Sequence, residues 1–339
     1  MLNPKYVLIT GGAGLLGSNL IRYILQNTND YQIIVVDNLS GGYYDFIPNN
    51  RRVKFFDFDL GNQDAIEELF ISYNITYVFH LAAYAAEGLS PFIRCYNYRE
   101  NICNSAMLIN MSINYNIKKF IFTSSMAVYG QQNPPFHEDQ IPQPMDPYGI
   151  AKYAVEMDLR VAKEQHGLDY CIIRPHNVYG PYQNVWDRYR NVLGIWMVKI
   201  KKGEAITIYG DGEQVRSFSF IDDFTPALWN SAIFRESSGE IINLGSEHYH
   251  TINQAAEIMK RVVARTGHNF EINYLEPRHE AKKAYCTHQK SVEVLDFKEL
   301  HNLEKGLEIM WDWFLQEPDR KIKSWPQYEL HDGVYSYWK

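Results

Sequence analysis

The 339-residue sequence lacks the features that mark membrane, secreted and metal-binding proteins. No apolar run approaches the roughly 18 residues that a transmembrane helix needs, and the N-terminus shows no basic segment followed by an apolar core. The four cysteines, Cys95, Cys103, Cys171 and Cys286, show no CxxC spacing, which favours buried, reduced thiols over disulfides or zinc ligands. We therefore expect a cytoplasmic protein that holds no metal.

Positive charge is also scarce. Lys and Arg number 33 against 40 Asp and Glu, which gives a formal net charge of −7, whereas a nucleic-acid partner would need a basic surface. Hydrophobic residues make up 46% of the chain, enough at this length to build either one large α/β domain or two lobes. An anionic small ligand remains compatible with this charge if a few arginines lie near it.

Strand-like apolar segments alternate with helical patterns in the first half of the chain. The strand-like segments are 6–10, 32–36, 53–56, 77–81 and 120–124, and the helical ones are 18–25, 65–71 and 97–115. This alternation predicts an α/β fold of the Rossmann type, a doubly wound parallel sheet with helices on both faces. Ligands of such sheets bind beyond the carboxyl ends of the strands.

The pattern changes from about Tyr182 onward, which predicts a smaller α/β substrate lobe over 179–323 after a first domain of 1–178. The run INLG could return one strand, near 241–245, to the first domain. Helical periodicity marks 192–202, 253–265 and 303–315. The tail, 324–339, has aromatic residues without a clear period, and we expect it to pack on its own domain or on a neighbouring subunit; they are Trp325, Tyr328, Tyr335, Tyr337 and Trp338.

The stretch YVLITGGAGLLG indicates a strand, a tight turn and a helix. Gly11 would let the backbone turn at the strand end, Gly14 would let it approach a pyrophosphate, and Gly17 would let the helix pack closely on the sheet. The phosphates would lie at the helix N-terminus, against unpaired N–H groups and the positive end of the helix dipole. A glycine-rich turn with a purely structural role is the alternative.

The second strand ends at Asp37, about 20 residues after Gly17, where a carboxylate can accept hydrogen bonds from both hydroxyls of an adenosine ribose. A ribose 2′-phosphate would meet this carboxylate, and no arginine stands next to Asp37 to neutralise it. The position therefore favours NAD over NADP. The alternative is a turn residue at a strand end.

Tyr148 and Lys152 stand four residues apart at the start of the helical segment YGIAKYAVEMDLRVAKE, which places both side chains on one helix face. A free phenol has a pKa of about 10, and a neighbouring ammonium and an oxidised nicotinamide ring would lower it. Tyr148 could then accept a hydroxyl proton while the same carbon gives a hydride to NAD. Ser124 and Ser125, at the end of the preceding strand, could supply hydroxyl donors at the same edge, or could be satisfied within their loop.

These motifs, taken in order, resemble the extended short-chain dehydrogenase/reductase family, and within it the nucleotide-sugar epimerases of the UDP-glucose 4-epimerase type. The segments that carry the resemblance are the glycine-rich turn, Asp37 with Asn38, FTSSMAVYG, YGIAK, RPHNVYGP and GDGEQVRSFSFIDD, and it covers residues 6–314. It implies a tightly bound NAD, a UDP-hexose substrate and a homodimer formed through two helices per subunit, here 97–115 and 148–166.

The resemblance also implies roles for single residues. Tyr148 would be the catalytic base and acid, Lys152 would lower its pKa and hold the nicotinamide ribose, and Ser125 would share the proton of the substrate O4. With Tyr148 and Lys152, the cofactor-binding positions would be Gly11, Gly14, Leu15, Leu16, Gly17, Asp37, Asn38, Asp59, Leu60, Leu81, Ala82, Ala83, Asn101, Ser124 and Pro175. The substrate-binding positions would be Tyr84, Glu87, Ser125, Met126, Asn177, Arg216 and Arg278.

Some of these positions leave alternatives. Either Arg216 or Arg278 could be part of a surface ion pair, and Glu87 could meet a sugar hydroxyl or cap the turn that follows it. Related dehydratases have a carboxylate two residues after the catalytic Ser or Thr, whereas Ala127 stands there in this chain, so dehydration is not expected. Tyr84 stands where bacterial 4-epimerases often have a lysine, so the resemblance does not define how this chain contacts the sugar.

The sequence therefore predicts an NAD-dependent nucleotide-sugar 4-epimerase that oxidises C4 transiently and reduces it again from either face. A net 4-dehydrogenase or 4-keto reductase on the same fold is one alternative. A non-catalytic NAD-binding sensor is the other.

Overall fold

The computed structural model describes residues 4–189, 191–278, 280–322, 325, 327–335 and 338. The strands in chain order are β1 (Lys5–Thr10), β2 (Tyr31–Asp37), β3 (Val53–Asp57), β4 (Ile75–His80), β5 (Lys119–Thr123), β6 (Tyr170–Pro175), β7 (Val178–Tyr179), β8 (Ile206–Tyr209), β9 (Val215–Ser217), β10 (Ser219–Phe220), β11 (Glu240–Leu244), β12 (Tyr249–Thr251), β13 (Ile272–Leu275) and β14 (Lys283–Ala284). The α-helices are α1 (Leu15–Asn27), α2 (Gln63–Ser72), α3 (Arg94–Tyr98), α4 (Asn104–Asn114), α5 (Pro147–His166), α6 (Val192–Lys201), α7 (Ile221–Ile233), α8 (Ile252–Ala264), α9 (Gln289–Leu295) and α10 (Leu303–Gln316).

A parallel sheet of seven strands forms the centre of the described chain, in the order β3-β2-β1-β4-β5-β6-β11. The chain winds outward in one direction through β2 and β3 and in the other from β4 onward, so the order reverses between β1 and β4. The predicted Rossmann-type fold is therefore confirmed. The predicted returning strand is β11, which pairs with β6 through partners such as Ile242 and Ile173.

Helices cover both faces of this sheet, which explains why its strands are apolar without alternation. Val7 and Ile9 of β1 point to one face and pack in a cluster with α1 and α7, whereas Leu8 points to the other face, where α2, α4 and α5 pack. The carboxyl ends of all seven strands lie at one edge of the sheet, and the loops at this edge carry the candidate site.

Short strands and helices make up much of the chain after β6. The small sheets pair β7 with β10, β8 with β13, and β9 with β12 and β14. The predicted helices at 192–202, 253–265 and 303–315 correspond to α6, α8 and α10 within one residue at each end. Because α7 packs against α1, β5 and β6, part of the predicted second lobe lies with the first sheet, and the boundary near 178 stays a prediction.

The predicted helix 97–115 is interrupted. Its first part is α3, its second part is a π-helical turn at Arg99–Cys103, and its third part is α4. Cys95 and Cys103, on α3 and in the π turn, are exposed free thiols, which corrects the expectation that the cysteines are buried; Cys171 and Cys286 are buried and free. Within the described ranges, no helix is long and apolar enough to cross a membrane, and no group of metal-binding side chains is present.

Candidate active site

The glycine-rich turn joins β1 to α1 and brings their backbones into close contact. Gly11 has a φ of +73°, and a Cβ there would lie 2.7 Å from the backbone nitrogen of Ala82. A Cβ on Gly17 would overlap the carbonyl oxygen of Gly11, so at this position α1 packs closely on the turn, whereas its apolar residues pack on the sheet as expected. Gly14 is the N-cap of α1 and has no side chain to cover the first N–H groups, which suits an anion. The first two residues of α1, Leu15 and Leu16, are partly buried beside this terminus.

Asp37, at the end of β2, joins the glycine-rich turn to the next loop. Its Oδ2 accepts a hydrogen bond from the N–H of Ala13 at 3.0 Å, and its Oδ1 accepts one from the N–H of Leu39 at 2.8 Å. Asp37 is therefore a turn residue, as the alternative had it. Each carboxylate oxygen has two lone pairs, so these bonds are compatible with ribose binding as well.

Asn38 and Asp59 lie side by side at the same edge. The Nδ2 of Asn38 donates to the Oδ2 of Asp59 at 2.7 Å, and the Oδ1 of Asp59 accepts from the N–H of Gly61 at 2.8 Å. Leu60, which follows Asp59 in the chain, is buried. This places a polar pair and an apolar surface where the resemblance implies the adenine.

Two asparagines hold the loop after β4, which begins with the partly buried Leu81, Ala82 and Ala83. The buried Asn101 bonds to Tyr84 in both directions, because its Oδ1 accepts the Tyr84 N–H at 3.1 Å and its Nδ2 donates to the Tyr84 carbonyl at 3.2 Å. Its Nδ2 also donates to the Oδ1 of Asn97, at 2.9 Å. The Nδ2 of Asn97 in turn donates to the Pro147 carbonyl, at 2.9 Å. The relay connects this loop to the first turn of α5.

Tyr148 and Lys152 lie on the first two turns of α5, and both are buried, with 8% and 2% of their surfaces exposed. The Oδ1 of Asp146 caps the helix by accepting the N–H of Gly149 at 2.9 Å, and Pro147 occupies the first helical position. The Nζ of Lys152 lies 5.8 Å from the centre of the Tyr148 ring and donates to the carbonyl of Thr123 at 2.8 Å. The sequence spacing therefore does bring the phenol and the ammonium together.

Burial makes the charge of Lys152 costly. Desolvation lowers the pKa of Lys152 to about 7, and the negative charge of Glu156 only partly opposes this effect. An ammonium has three N–H donors, and among the described residues the Thr123 carbonyl is the acceptor that Lys152 reaches. Acceptors such as ribose hydroxyls would stabilise the ammonium.

The two serines after β5 have different surroundings. The Oγ of Ser125 accepts the N–H of Ala127 at 3.1 Å and caps the 3₁₀ turn Met126–Tyr129, which leaves its hydroxyl hydrogen to be donated. The Oγ of Ser124 donates instead to the carboxylate of Glu156. The structure therefore directs the Ser124 hydroxyl into the interior, so only its backbone can line the cleft.

Glu156 belongs to a buried ion pair directly behind these serines. Its carboxylate oxygens accept from the Nε and Nη2 of Arg174 at 2.9 and 2.6 Å, and both residues are almost completely buried. The Nη1 of Arg174 donates to the hydroxyl of Tyr129 at 2.7 Å, and that hydroxyl donates to Asn243 at 2.8 Å. The pair thus joins α5, β6 and β11.

Polar residues from the second half of the chain face this edge. The Nδ2 of Asn177 donates to the Ser217 carbonyl at 2.8 Å and lies 3.9 Å from the sulfur of Met126. Arg216, on β9, forms an ion pair with Glu280 at 2.7 Å. This is the alternative role that the sequence allowed for Arg216. Pro175 ends β6 and is partly buried. Arg278 is stacked on an aromatic ring, that of Tyr209, with 3.6 Å between the guanidinium carbon and the ring centre.

Glu87 begins the 3₁₀ helix Glu87–Phe92, and its carboxyl group lies within electrostatic range of Asp146 at the start of α5. Its carbonyl accepts the hydroxyl of Ser90 at 2.8 Å, and the Ser90 oxygen accepts the N–H of Tyr148 at 3.2 Å. Its carboxylate caps no N–H group of the described residues. Desolvation is the largest cause of its raised pKa; Asp146 and Glu280 raise it further, and Arg216 opposes them. The side chain is nevertheless exposed to solvent in the described structure, which weakens this desolvation.

The residues around the cleft suit an NAD molecule. The uncapped terminus of α1 suits a pyrophosphate, Asp37 suits the adenosine ribose, and the buried Lys152 has donors for the nicotinamide ribose. These groups lie along the edge from β2 through β1 and β4 to β5, across the reversal of strand order where such sheets bind dinucleotides.

Sequence reasoning did not single out several residues that organise this site. Asp146 had a recognisable signal, because Asp before Pro-Tyr-Gly is typical of a helix N-cap. Asn97 stands four residues before Asn101 and thus on the same helix face. Arg174 is a charged residue in the apolar strand YCIIRP, but nothing local indicates that Glu156 is its partner. Gly12 had no separate signal, although a Cβ there would overlap Val35.

Comparisons with known proteins agree with this site. Residues 7–245 match the NAD dependent epimerase/dehydratase family. The chain is 34% identical to a UDP-glucose 4-epimerase of Thermotoga maritima solved with UDP-glucose, with a TM-score of 0.85 over 91% of this chain and 98% of that one. It is 32% identical to a UDP-N-acetylglucosamine 4-epimerase structure from Methanobrevibacter ruminantium, with a TM-score of 0.85 over 93% and 99% of the two chains.

A third relative acts on an acidic sugar. The chain is 28% identical to a UDP-glucuronate 4-epimerase of Thermodesulfobacterium geofontis, over 91% of this chain and 95% of that protein. These comparisons confirm the resemblance to nucleotide-sugar epimerases. They also confirm NAD as the cofactor and the prediction that the protein is an enzyme. The chain belongs to the NAD-dependent epimerase/dehydratase family.

Proposed function

We propose that the protein is a nucleotide-sugar 4-epimerase that interconverts UDP-hexoses of the glucose and galactose type. The observation that carries this proposal is that Tyr148 lies beside Lys152, whose ammonium bonds the last residue of β5, two residues before Ser125. A base for O4, a cation beside it and a hydroxyl donor are the groups that transient oxidation of a secondary alcohol requires.

The chain's own residues have separate tasks in this reaction. Tyr148 accepts the proton of O4 and later returns it, and the charge of Lys152 stabilises the ionised phenol. Ser125 donates its hydroxyl to O4, because its oxygen already accepts the N–H of Ala127. NAD, when bound, would supply the hydride chemistry as acceptor and then donor, so no net oxidation would follow.

The turn after Ser125 supports epimerisation over dehydration. Elimination of water needs an acid or base near a second carbon of the sugar. The 3₁₀ turn that follows Ser125 has the sequence MAVY, and its first two residues, Met126 and Ala127, have no group that transfers protons.

Retention of NAD separates this proposal from a net oxidoreductase. We expect the purified protein to hold NAD and to interconvert UDP-glucose and UDP-galactose without accumulating NADH, as absorbance at 340 nm and product chromatography would show. NADH that accumulates one for one with a 4-keto sugar would instead establish a dehydrogenase. Bound NAD without turnover of any UDP-hexose would favour the sensor.

The position of Glu87 supports the proposal that the substrate sugar carries no negative charge at C6. Its carboxylate lies within electrostatic range of Asp146 and Arg216, between the first turn of α5 and β9. A uronate carboxylate would add like charge to this part of the cleft, and two such charges about 4 Å apart repel by roughly 1 to 4 kcal/mol at the polarity of water or of a protein surface.

Substituting Glu87 is therefore expected to change substrate preference. At pH 8, above the pKa of about 7 to which burial and neighbouring carboxylates raise Glu87, wild type should prefer UDP-glucose to UDP-glucuronate in kcat/KM. Glu87→Gln should reduce that preference about tenfold, because the repulsion is lost. Glu68→Gln is the matched control, since it removes the same charge from an exposed position on α2. An unchanged ratio of the two kcat/KM values in Glu87→Gln would refute a role of this charge in selection.

We also propose that two copies associate through α4 and α5. Ile150, Met157 and Val161 are large apolar residues on α5 that are 40–42% exposed, and their spacing of seven and four residues places them on one face. Burial of this face against its symmetry mate would remove it from water. Light scattering of the purified protein should give the mass of a dimer, and the mass of one chain would contradict this arrangement.

A further inference from the structure

The aromatic tail packs on its own chain beside the substrate side of the cleft. We use "the tail" for residues 325, 327–335 and 338; Tyr337 lies outside the described residues. Val334 and Trp338 are 6% and 4% exposed, and they form a cluster with Ala86, Leu89 and Ile93. This segment, 86–93, directly follows the loop that carries Tyr84.

Hydrogen bonds give the tail a defined position. The two carboxylate oxygens of Glu329 accept the N–H groups of Cys95 and Tyr96 at 2.8 and 2.9 Å, at the start of α3. The N–H of Trp325 donates to the hydroxyl of Tyr189 at 2.8 Å. Such specific bonds distinguish the tail from an aromatic segment that adheres without a fixed register.

The tail touches candidate substrate residues from both halves of the chain. The ring of Trp325 lies 5.0 Å from the ring of Tyr84, measured between centres. The guanidinium of Arg278 lies 5.4 Å from the ring centre of Trp338 and 5.9 Å from that of Tyr335, in addition to its contact with Tyr209. The tail therefore connects the loop after β4 with the segment between β13 and β14.

Aromatic contacts of this kind orient an arginine without using its donors. Rings attract a guanidinium through its flat face, whereas the five N–H groups point outward in its plane. Ring contacts therefore restrict the orientation of an arginine side chain, and paired guanidinium N–H groups suit a diphosphate. Without the rings of Trp338 and Tyr335, Arg278 would lose two of the ring contacts that restrict its orientation.

We propose that the tail completes the nucleotide-sugar site by positioning Arg278 for the diphosphate and Tyr84 for the sugar. The identity of this ligand rests on the proposed function. Affinity for the nucleotide sugar thus depends on the tail, whereas NAD binding does not, because the contacts described for the tail lie away from β1 and α1. Trp338, Trp325 and Glu329 are positioning residues in this arrangement.

Substitutions in the tail test this arrangement through UDP binding, which needs no turnover. In Trp338→Ala, the Kd for UDP by calorimetry and the KM for UDP-glucose are each expected to rise about tenfold, with NAD content within twofold of wild type. Trp338→Phe, which retains a ring, should recover most of the affinity. The control is Leu330→Ala, because Leu330 is a tail residue that is 49% exposed.

Glu329→Gln provides a second variant if Trp338→Ala does not fold. It removes the charge that binds the N–H groups of α3 and should weaken UDP binding in the same direction. Unchanged UDP affinity in the folded variants would overturn the inference and leave epimerisation untouched. If the tail variants weaken UDP binding but the wild type converts no UDP-hexose, the proposed reaction alone would be refuted. A wild type that binds no UDP would overturn both the proposed reaction and the role of the tail.

Discussion

Replacing Tyr148 with phenylalanine is expected to lower kcat by about 10²- to 10⁴-fold, the usual contribution of a positioned acid or base. The substitution removes only the hydroxyl of a side chain that is 8% exposed, and the backbone N–H that donates to Ser90 is unchanged. NAD content and the KM for the nucleotide sugar should therefore stay close to wild type. Steady-state kinetics with UDP-glucose, together with the absorbance of released cofactor, would measure all three quantities.

Tyr153→Phe is the matched control for this experiment. It makes the same change on the same helix, one residue beyond Lys152, at a position that packs near Met126 and Val128. Its kcat should remain within a few fold of wild type. If Tyr148→Phe retained more than a tenth of wild-type kcat, another group would have to be the base, and the mechanism proposed for this site would be wrong.

Breaking the buried ion pair behind the serines is expected to destabilise the fold by about 3 to 5 kcal/mol. In Glu156→Gln the guanidinium of Arg174 would remain buried without a countercharge, because both of its bonds to the carboxylate at 2.9 and 2.6 Å involve Glu156. The Ser124 hydroxyl would lose its charged acceptor as well. Urea denaturation followed by circular dichroism would measure the change in the free energy of unfolding.

Two further variants separate burial from charge pairing. The pair Arg261 and Glu304 has the same two-bond geometry, at 3.0 and 2.9 Å, but lies exposed between α8 and α10. Glu304→Gln should therefore change stability much less, since water solvates the charge that remains. The double variant Glu156→Leu with Arg174→Met should recover much of the lost stability, because it removes both charges of the pair. Equal unfolding midpoints for Glu156→Gln and Glu304→Gln would contradict this explanation.

Part of the site follows from local rules that can be applied to the sequence without coordinates. The turn at Gly11 depends on a positive φ, and the helix that begins after Gly14 depends on a pattern of a few residues. Tyr148 and Lys152 share a face because four residues make about one helical turn. The fold class follows from alternation of strands and helices, because parallel strands need a crossover between them.

The remaining features depend on contacts between residues that are far apart in the chain. Asn97 binds the Pro147 carbonyl across 50 positions, and Glu329 reaches the start of α3 across more than 230. The direction of the Ser124 hydroxyl is set by Glu156, 32 residues later. Periodicity carries no information about such partners, because it reports only which face of an element is apolar.

Local rules applied to the sequence predicted the doubly wound sheet, the glycine-rich turn, the acidic residue at the end of β2 and the pairing of Tyr148 with Lys152. The position of Glu87 near Asp146, the inward direction of the Ser124 hydroxyl and the contacts of the tail with Tyr84 and Arg278 became visible in the folded chain alone. The difference lies in the range of the interactions. Backbone geometry acts over one turn or one strand, whereas burial, charge pairing and ring contacts depend on which distant segments the folded chain brings together.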